Sequence, residues 1–292
     1  MQVKTPCVAL SVAATLGFAA ESTAGEYLEV EPGVDIYYEV HGEGPDLVLV
    51  PGWTFTTEVF EHQISEFSKT YRVITFDPRS HGRSTVSVEG NNYATSGVDL
   101  SKLLSHLGSE QPALVGWSFG CLTTLAYLKH TGLDSASSHM CIDAPPTPMS
   151  NVEGDWVEAS LSDMSAIYNA LQTSQGHRDL VNWYADEIMI EGEYTPELST
   201  WIVDQSTSSP PWVAAAYWAS GAFSDYMDIA REVDEKMPSY FLVATHWADV
   251  AVPYLEANLA NSRVEAFGGH MMFWEYPDRF NPILSDMLKA GE

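Results

Sequence analysis

Short, continuous apolar runs recur along this chain, separated by longer stretches with helical spacing. Leu47-Val48-Leu49-Val50, Val73-Ile74-Thr75-Phe76, Ala113-Leu114-Val115, Met140-Cys141-Ile142, Tyr240-Phe241-Leu242-Val243-Ala244 and Val264-Glu265-Ala266-Phe267 are each strand-length. Runs without polar alternation are expected of strands covered on both faces. Between the first two, Val59, Phe60, Ile64 and Phe67 predict a crossover helix over 57–68. Leu100, Leu103, Leu104 and Leu107 fall at i, i+3, i+4, i+7 and predict another. Residues 27–41 alternate loosely and turn at Pro32-Gly33, as in an antiparallel hairpin. Phe280, Ile283, Leu284 and Met287 mark a closing helix. Strands alternating with helices predict an α/β fold, a mostly parallel twisted sheet flanked by helices.

From about 146 to 236 the texture changes. Strand-like runs give way to polar, acidic segments with aromatic anchors, among them Trp156, Trp183, Tyr184, Trp201, Trp212 and Trp218. This predicts a helical cap inserted over the sheet edge, at 146–236, splitting a core formed by 25–145 and 237–292. Most of the cap aromatics are expected to form its own core, with a minority facing a pocket.

Residues 6–20 carry no charge, follow Lys4, and lead to Ser22-Thr23-Ala24, with small residues at −3 and −1. That is a secretory signal pattern, so residues 1–24 are expected to be removed and the mature chain to be secreted or periplasmic. The apolar run is short for a membrane span. The balance of 13 Lys+Arg against 40 Asp+Glu, formally −27, repels nucleic acid and anionic membranes, so neither is expected as a partner. Such a surface serves solubility and also suits a saline medium, where screening weakens self-repulsion. Cys121 and Cys141 sit in apolar surroundings and read as buried thiols; their placement on neighbouring elements leaves a bridge open.

The chemistry gathers at Gly116-Trp117-Ser118-Phe119-Gly120, between a strand and a helix. Gly-x-Ser-x-Gly in that context predicts a nucleophile elbow, whose sharp turn lifts the serine oxygen above the sheet edge. Ser118 needs a base, and the base an orienting carboxylate. Of nine histidines, His270 is best placed, in a loop after the last strand and two glycines. His81, within Arg79-Ser80-His81-Gly82, reads as a turn residue. Asp249 follows strand 240–244 and precedes His270, giving the chain order Ser118, Asp249, His270; Asp143 also follows a strand and is the rival acid. Backbone N–H groups of Trp53 and Phe119 are the expected oxyanion donors. No metal or dinucleotide spacing is visible, so no cofactor is expected.

These pieces resemble the α/β-hydrolase fold superfamily. The resemblance rests on Pro51-Gly52-Trp53, Asp77-Pro78-Arg79-Ser80-His81-Gly82-Arg83-Ser84, the elbow, and Gly269-His270-Met271 with Trp274-Glu275-Tyr276-Pro277. It spans roughly 27–289, and its closing stretch is similar to that of small serine esterases and cofactor-free haloperoxidases. It implies the triad Ser118, Asp249, His270 under a helical cap. Three positions depart from the pattern. Cys121 stands where the family often has glycine, Pro51-Gly52 where it often has His-Gly, and His246-Trp247-Ala248-Asp249 where it has Gly-x-x-Asp. The expected activity is cleavage of carboxylic esters through an acyl-enzyme, on a small apolar or aromatic ester. Lactone opening, carbon–carbon hydrolysis and perhydrolysis are alternatives on the same triad. A ligand receptor with a near-silent triad is the alternative of another class.

Overall fold

In the computed structural model, residues 25–292 are described; the segment assigned to a signal peptide lies outside them. Among the described residues, eight strands form one sheet: β1 (Glu26–Glu31), β2 (Val34–His41), β3 (Asp46–Val50), β4 (Arg72–Phe76), β5 (Ala113–Trp117), β6 (Ser138–Ile142), β7 (Ser239–Val243) and β8 (Arg263–Ala266). Their order is β1-β2-β4-β3-β5-β6-β7-β8. β1 and β2 form the hairpin, turning at Gly33 (φ 77°), and β2 pairs antiparallel with β4. The remaining pairs are parallel. The central runs are as their sequences require: Leu47, Val48, Ile74, Leu114, Val115 and Met140 are fully buried.

Helices connect the strands in the order α1 (Glu61–Phe67), α2 (Tyr93–His106), α3 (Gly120–Thr131), then α4 (Leu161–Ala170), α5 (Ser174–Tyr184), α6 (Pro196–Ser206), α7 (Pro211–Ala222) and α8 (Met227–Lys236), all between β6 and β7. α9 (Ala248–Asn258) joins β7 to β8; α10 (Met272–Glu275) and α11 (Pro277–Gly291) close the chain. Proline or a Thr, Ser or Asn cap marks several of these starts, and Thr195, Ser160, Thr173 and Asn92 each accept from a backbone N–H in the first turn. α8 packs against α3 and so serves as the crossover into β7, while α4, α5 and α7 pack on one another.

The register sets four strands, β3, β5, β6 and β7, level at one sheet edge. Val50 pairs with Gly116, Trp117 with Ile142, and Ile142 with Leu242. The ladder then runs one residue further: Ser118 N–H donates to Ile142 O at 2.7 Å, and Asp143 N–H donates to Leu242 O at 2.7 Å. Ligand sites in open parallel sheets lie outside these carboxyl ends. Among the described residues no helix is long and apolar enough to cross a membrane.

Candidate active site

Ser118 occupies the turn between β5 and α3 with φ 52°, a left-handed conformation rarely held by a non-glycine residue. The turn is tight enough that a Cβ on Gly120 would stand 2.4 Å from Val50 O, which accounts for the glycine. Ser118 N–H is spent on Ile142, so the chain after it presents Phe119 N–H at the start of α3. Neither Phe119 N–H nor Trp53 N–H donates to a protein acceptor among the described residues. Both groups are the ones that the sequence marks as oxyanion donors.

Trp53 is held from two sides. Its indole N–H donates to Ala214 O of α7 at 2.9 Å. The neighbouring Thr54 N–H donates to His81 Nε2 at 3.1 Å, and His81 Nδ1 donates to Arg79 O at 2.8 Å. These two bonds fix the neutral tautomer, and burial pushes the His81 pKa down to about 4. His81 is thus more than a turn residue: it anchors the loop that carries Trp53. Arg79 itself is buried on a bidentate pair with Asp99 and a further bond to Glu31.

His270 is 3% exposed, and its Nδ1 donates to Asp143 Oδ2 at 2.6 Å. Asp143, also at positive φ (54°), accepts Ala244 N–H on Oδ1 at 2.8 Å. A carboxylate only accepts, so the proton sits on Nδ1 and the Nε2 lone pair is left available. The expected acid, Asp249, is not at this position. After β7 the chain enters a 3-10 turn over Thr245–Trp247 and then α9, and Asp249 lies exposed in the first turn of that helix. There its charge suits the helix N-terminus. Asp143 takes this place because β6 adjoins β5, the strand that ends at Ser118, and its ladder ends one residue beyond Ile142, which sets Asp143 at the sheet edge level with Ser118.

The histidine loop is gripped on every side. Trp117, within the elbow, donates its indole N–H to His270 O at 2.8 Å. His270 N–H and Met271 N–H donate to Ile188 O and Met189 O, at the end of a π turn (Ala185–Met189) that follows α5. Glu275 accepts Gly269 N–H and Glu191 N–H at 3.1 Å each, and Gly192 N–H as well. A Cβ on Gly269 would lie 2.7 Å from Met189 O, so only glycine admits this approach of the inserted helices. Neither Trp117 nor Glu275 was singled out by spacing, although both lie in stretches that carry the family resemblance. Cys121 and Cys141 form a disulfide. The buried-thiol reading is corrected: Gly116 and Cys141 are cross-strand partners, and Cys121 is the second residue of α3, which follows β5.

A cavity of about 10 Å³ lies over the serine, bordered by Trp53, Ser118, Phe119, Glu158, Tyr184 and His270. Among the described residues no hydrogen bond joins Ser118 Oγ to His270; both border this space. Beside it opens a cavity of about 570 Å³, sharing Glu158, Tyr184, Trp218 and His270. Glu158 accepts the Tyr184 hydroxyl at 2.7 Å, and burial pushes its carboxyl pKa up. Nothing in the spacing of the chain marks Glu158, which sits in an acidic stretch between β6 and α4. Among the described residues no cluster of His, Cys, Asp and Glu could hold a metal ion.

The model of the Alpha/beta hydrolase family matches residues 47–283. The chain belongs to the alpha/beta hydrolase family. This α/β hydrolase is 25% identical over 275 residues to a non-heme chloroperoxidase of Streptomyces lividans, covering 88% of this chain and 97% of that protein. Its fold is similar to that of an esterase from Exiguobacterium antarcticum (TM-score 0.83, 22% identity, 91% of this chain and 100% of the other). It is similar also to a bromoperoxidase from Bacillus anthracis (TM-score 0.82, 21% identity, 91% and 100%).

Proposed function

We propose that the protein is a serine hydrolase that cleaves small carboxylic esters through an acyl-enzyme on Ser118. One observation carries the reading: Ser118, strained at the elbow, shares a cavity with His270, whose imidazole is locked to the buried Asp143. His270 Nε2 takes the proton of Ser118 Oγ as the oxygen attacks the ester carbonyl, through a bond that tightens as substrate enters. Trp53 and Phe119 N–H groups hold the oxyanion, each contributing about 2.7–4 kcal/mol by analogy with such donors. His270 returns the proton to the leaving alkoxide, and water then releases the acid by the same base. The space over the serine is small, which favours short acyl groups such as acetyl over benzoyl.

A fluorophosphonate probe tests the reading. It should label the wild-type protein at Ser118, and folded Ser118→Ala should show neither labelling nor turnover of p-nitrophenyl acetate. Labelling elsewhere, or more than a few per cent of the rate left in that variant, removes Ser118 from the role. Lactones, diketones and peracid formation assayed beside the esters distinguish the other chemistries open to this triad.

We also propose that the protein is exported and begins near Gly25. The Lys4, apolar and Ser-Thr-Ala pattern supports this, and so does a disulfide, since these persist in oxidising compartments. Intact mass of exported protein decides it; a mass that includes residues 1–24 sinks the proposal.

A further inference from the structure

The two cavities divide the ester unequally. The small one touches Ser118 and both oxyanion residues, so it takes the acyl group; Glu158, Tyr184, Trp218 and His270 form the wall that it shares with the large one. The large one borders His270 but neither Ser118, Trp53 nor Phe119. The group that departs must collect its proton from His270, so the large cavity lies on the leaving side. Its walls are unusual for a purely apolar alcohol. Trp183, Tyr184, Trp218 and Trp247 line it together with Glu158 and the exposed Asp163.

Glu158 is incompletely matched. Among the described residues its hydrogen-bond partner is the Tyr184 hydroxyl, and no lysine or arginine pairs with it. Asp163 is engaged with Ser160 at the start of α4 and cannot supply a proton donor. Trp218 is buried and lines both cavities, and its indole N–H has no acceptor among the described residues. A carboxylate in a cavity lined by aromatic side chains suits an ammonium group, which gains from the charge and from ring quadrupoles. The surface adds to this: a formal −27 concentrates cations near the protein and repels anionic esters.

We propose that the cavity around Glu158 receives the leaving alcohol and selects alcohols bearing an ammonium group, quaternary or protonated. This rests on the ester-hydrolase reading above. The aromatic walls still accept an apolar alcohol, but the carboxylate favours its cationic isostere.

Acetylcholine and 3,3-dimethylbutyl acetate have the same shape and differ in charge. At matched ionic strength the wild type should hydrolyse the cationic ester with kcat/KM about ten-fold higher or more, a difference of about 1.4 kcal/mol. In Glu158→Gln the ratio of the two should fall to near one. A wild-type ratio at or below one, or a ratio that Glu158→Gln leaves intact, overturns the proposal. Should that variant not fold, saturable quenching of wild-type tryptophan fluorescence by tetramethylammonium reads the same cavity, since three tryptophans line it. Equal quenching by sodium at the same ionic strength overturns the proposal. The quenching does not depend on turnover. Saturable quenching without fluorophosphonate labelling therefore supports the cation site while refuting the ester reading. Labelling with no cation preference does the opposite.

Discussion

Asp143 and Asp249 were both legible as aspartates after strands, and the choice between them turns on one step of the sheet ladder. Chain order favoured Asp249, because the acid commonly falls between the cap and the histidine. What chain order cannot show is that β7 leads into a 3-10 turn and a helix, so that Asp249 turns to solvent. Nor does it show that Asp143 holds His270 Nδ1 at 2.6 Å while Ala244 N–H secures its other oxygen. Loss of the buried carboxylate in such a triad costs about 10⁴ in turnover, since the imidazole loses its tautomer and its counter-charge. We therefore expect folded Asp143→Asn to lower kcat on p-nitrophenyl acetate by several orders of magnitude. Asp249→Asn should change it less than about three-fold, within what removal of an exposed helix-end charge does. The opposite ranking would return the role to Asp249. Ser118 and His270 were readable because each stands beside glycines with a steric reason, whereas Glu158 and Trp117 carry no such mark and emerge only from their contacts.

The sheet strands and their crossovers were readable from continuous apolar runs, and the inserted helices from the loss of those runs. The seam between them was not, because it is made of backbone groups. The π turn after α5 leaves carbonyls of Ile188 and Met189 to accept from His270 and Met271, and Glu275 in α10 closes the seam from the other side with three backbone N–H groups. A carboxylate accepts all three, whereas an amide would turn its NH₂ toward at least one donor. Glu275 is thus a positioning residue that acts through the histidine loop. Glu275→Gln should lower kcat by about ten-fold or more, in line with what a displacement of reacting groups by ~1 Å costs, while KM changes little. A rise in KM with unchanged kcat would instead place Glu275 in substrate binding. The Cys121–Cys141 bridge strengthens the same frame from below, tying the first turn of α3 to β6 two residues before Asp143.

Over the whole chain the stability is tied to proton uptake. His81, His139 and His177 are buried, and burial lowers each pKa to about 4, against 6.5 when unfolded. Between these values the unfolded chain binds more protons than the native one, so stability falls as pH drops from about 6.5 to 4 and is indifferent to these groups above it. Each contributes up to about 1.36 kcal/mol per pH unit within that window. Urea midpoints should therefore fall steadily from pH 7 to 5, and His139→Gln should flatten the slope. A midpoint constant over that range would mean these rings are protonated in the native state.

The acidic surface makes a separate demand on the folded state. Lys4 and Glu21 cancel within residues 1–24, so the described residues carry the whole formal −27, with 12 basic groups (13 less Lys4) against 39 acidic ones (40 less Glu21). Several of those cations are committed: Arg79 is buried with Asp99 and Glu31, Arg83 is bound to Asp77 and Glu39, and Arg72 to Asp46. Most acidic groups have no basic partner among the described residues, and compaction brings like charges closer than the unfolded chain does. Salt acts on two opposed terms. It weakens exposed pairs such as Arg178–Asp204 and Arg263–Asp286, worth about 0–1 kcal/mol each. It also weakens carboxylate repulsion over the whole surface, and acids outnumber bases about three to one, so the second term is larger. The Debye length falls from ~30 Å at 0.01 M to ~10 Å at 0.1 M and ~3 Å at 1 M, so most of the change comes early. We expect the melting temperature at pH 7.5 to rise steeply between 0.01 and about 0.3 M NaCl and to level off beyond. Replacing exposed acids by their amides should shrink that rise. A melting temperature that stays flat or falls over the low range would show that the exposed pairs dominate. A rise confined to molar salt would point to exclusion of salt from apolar surface rather than to screening.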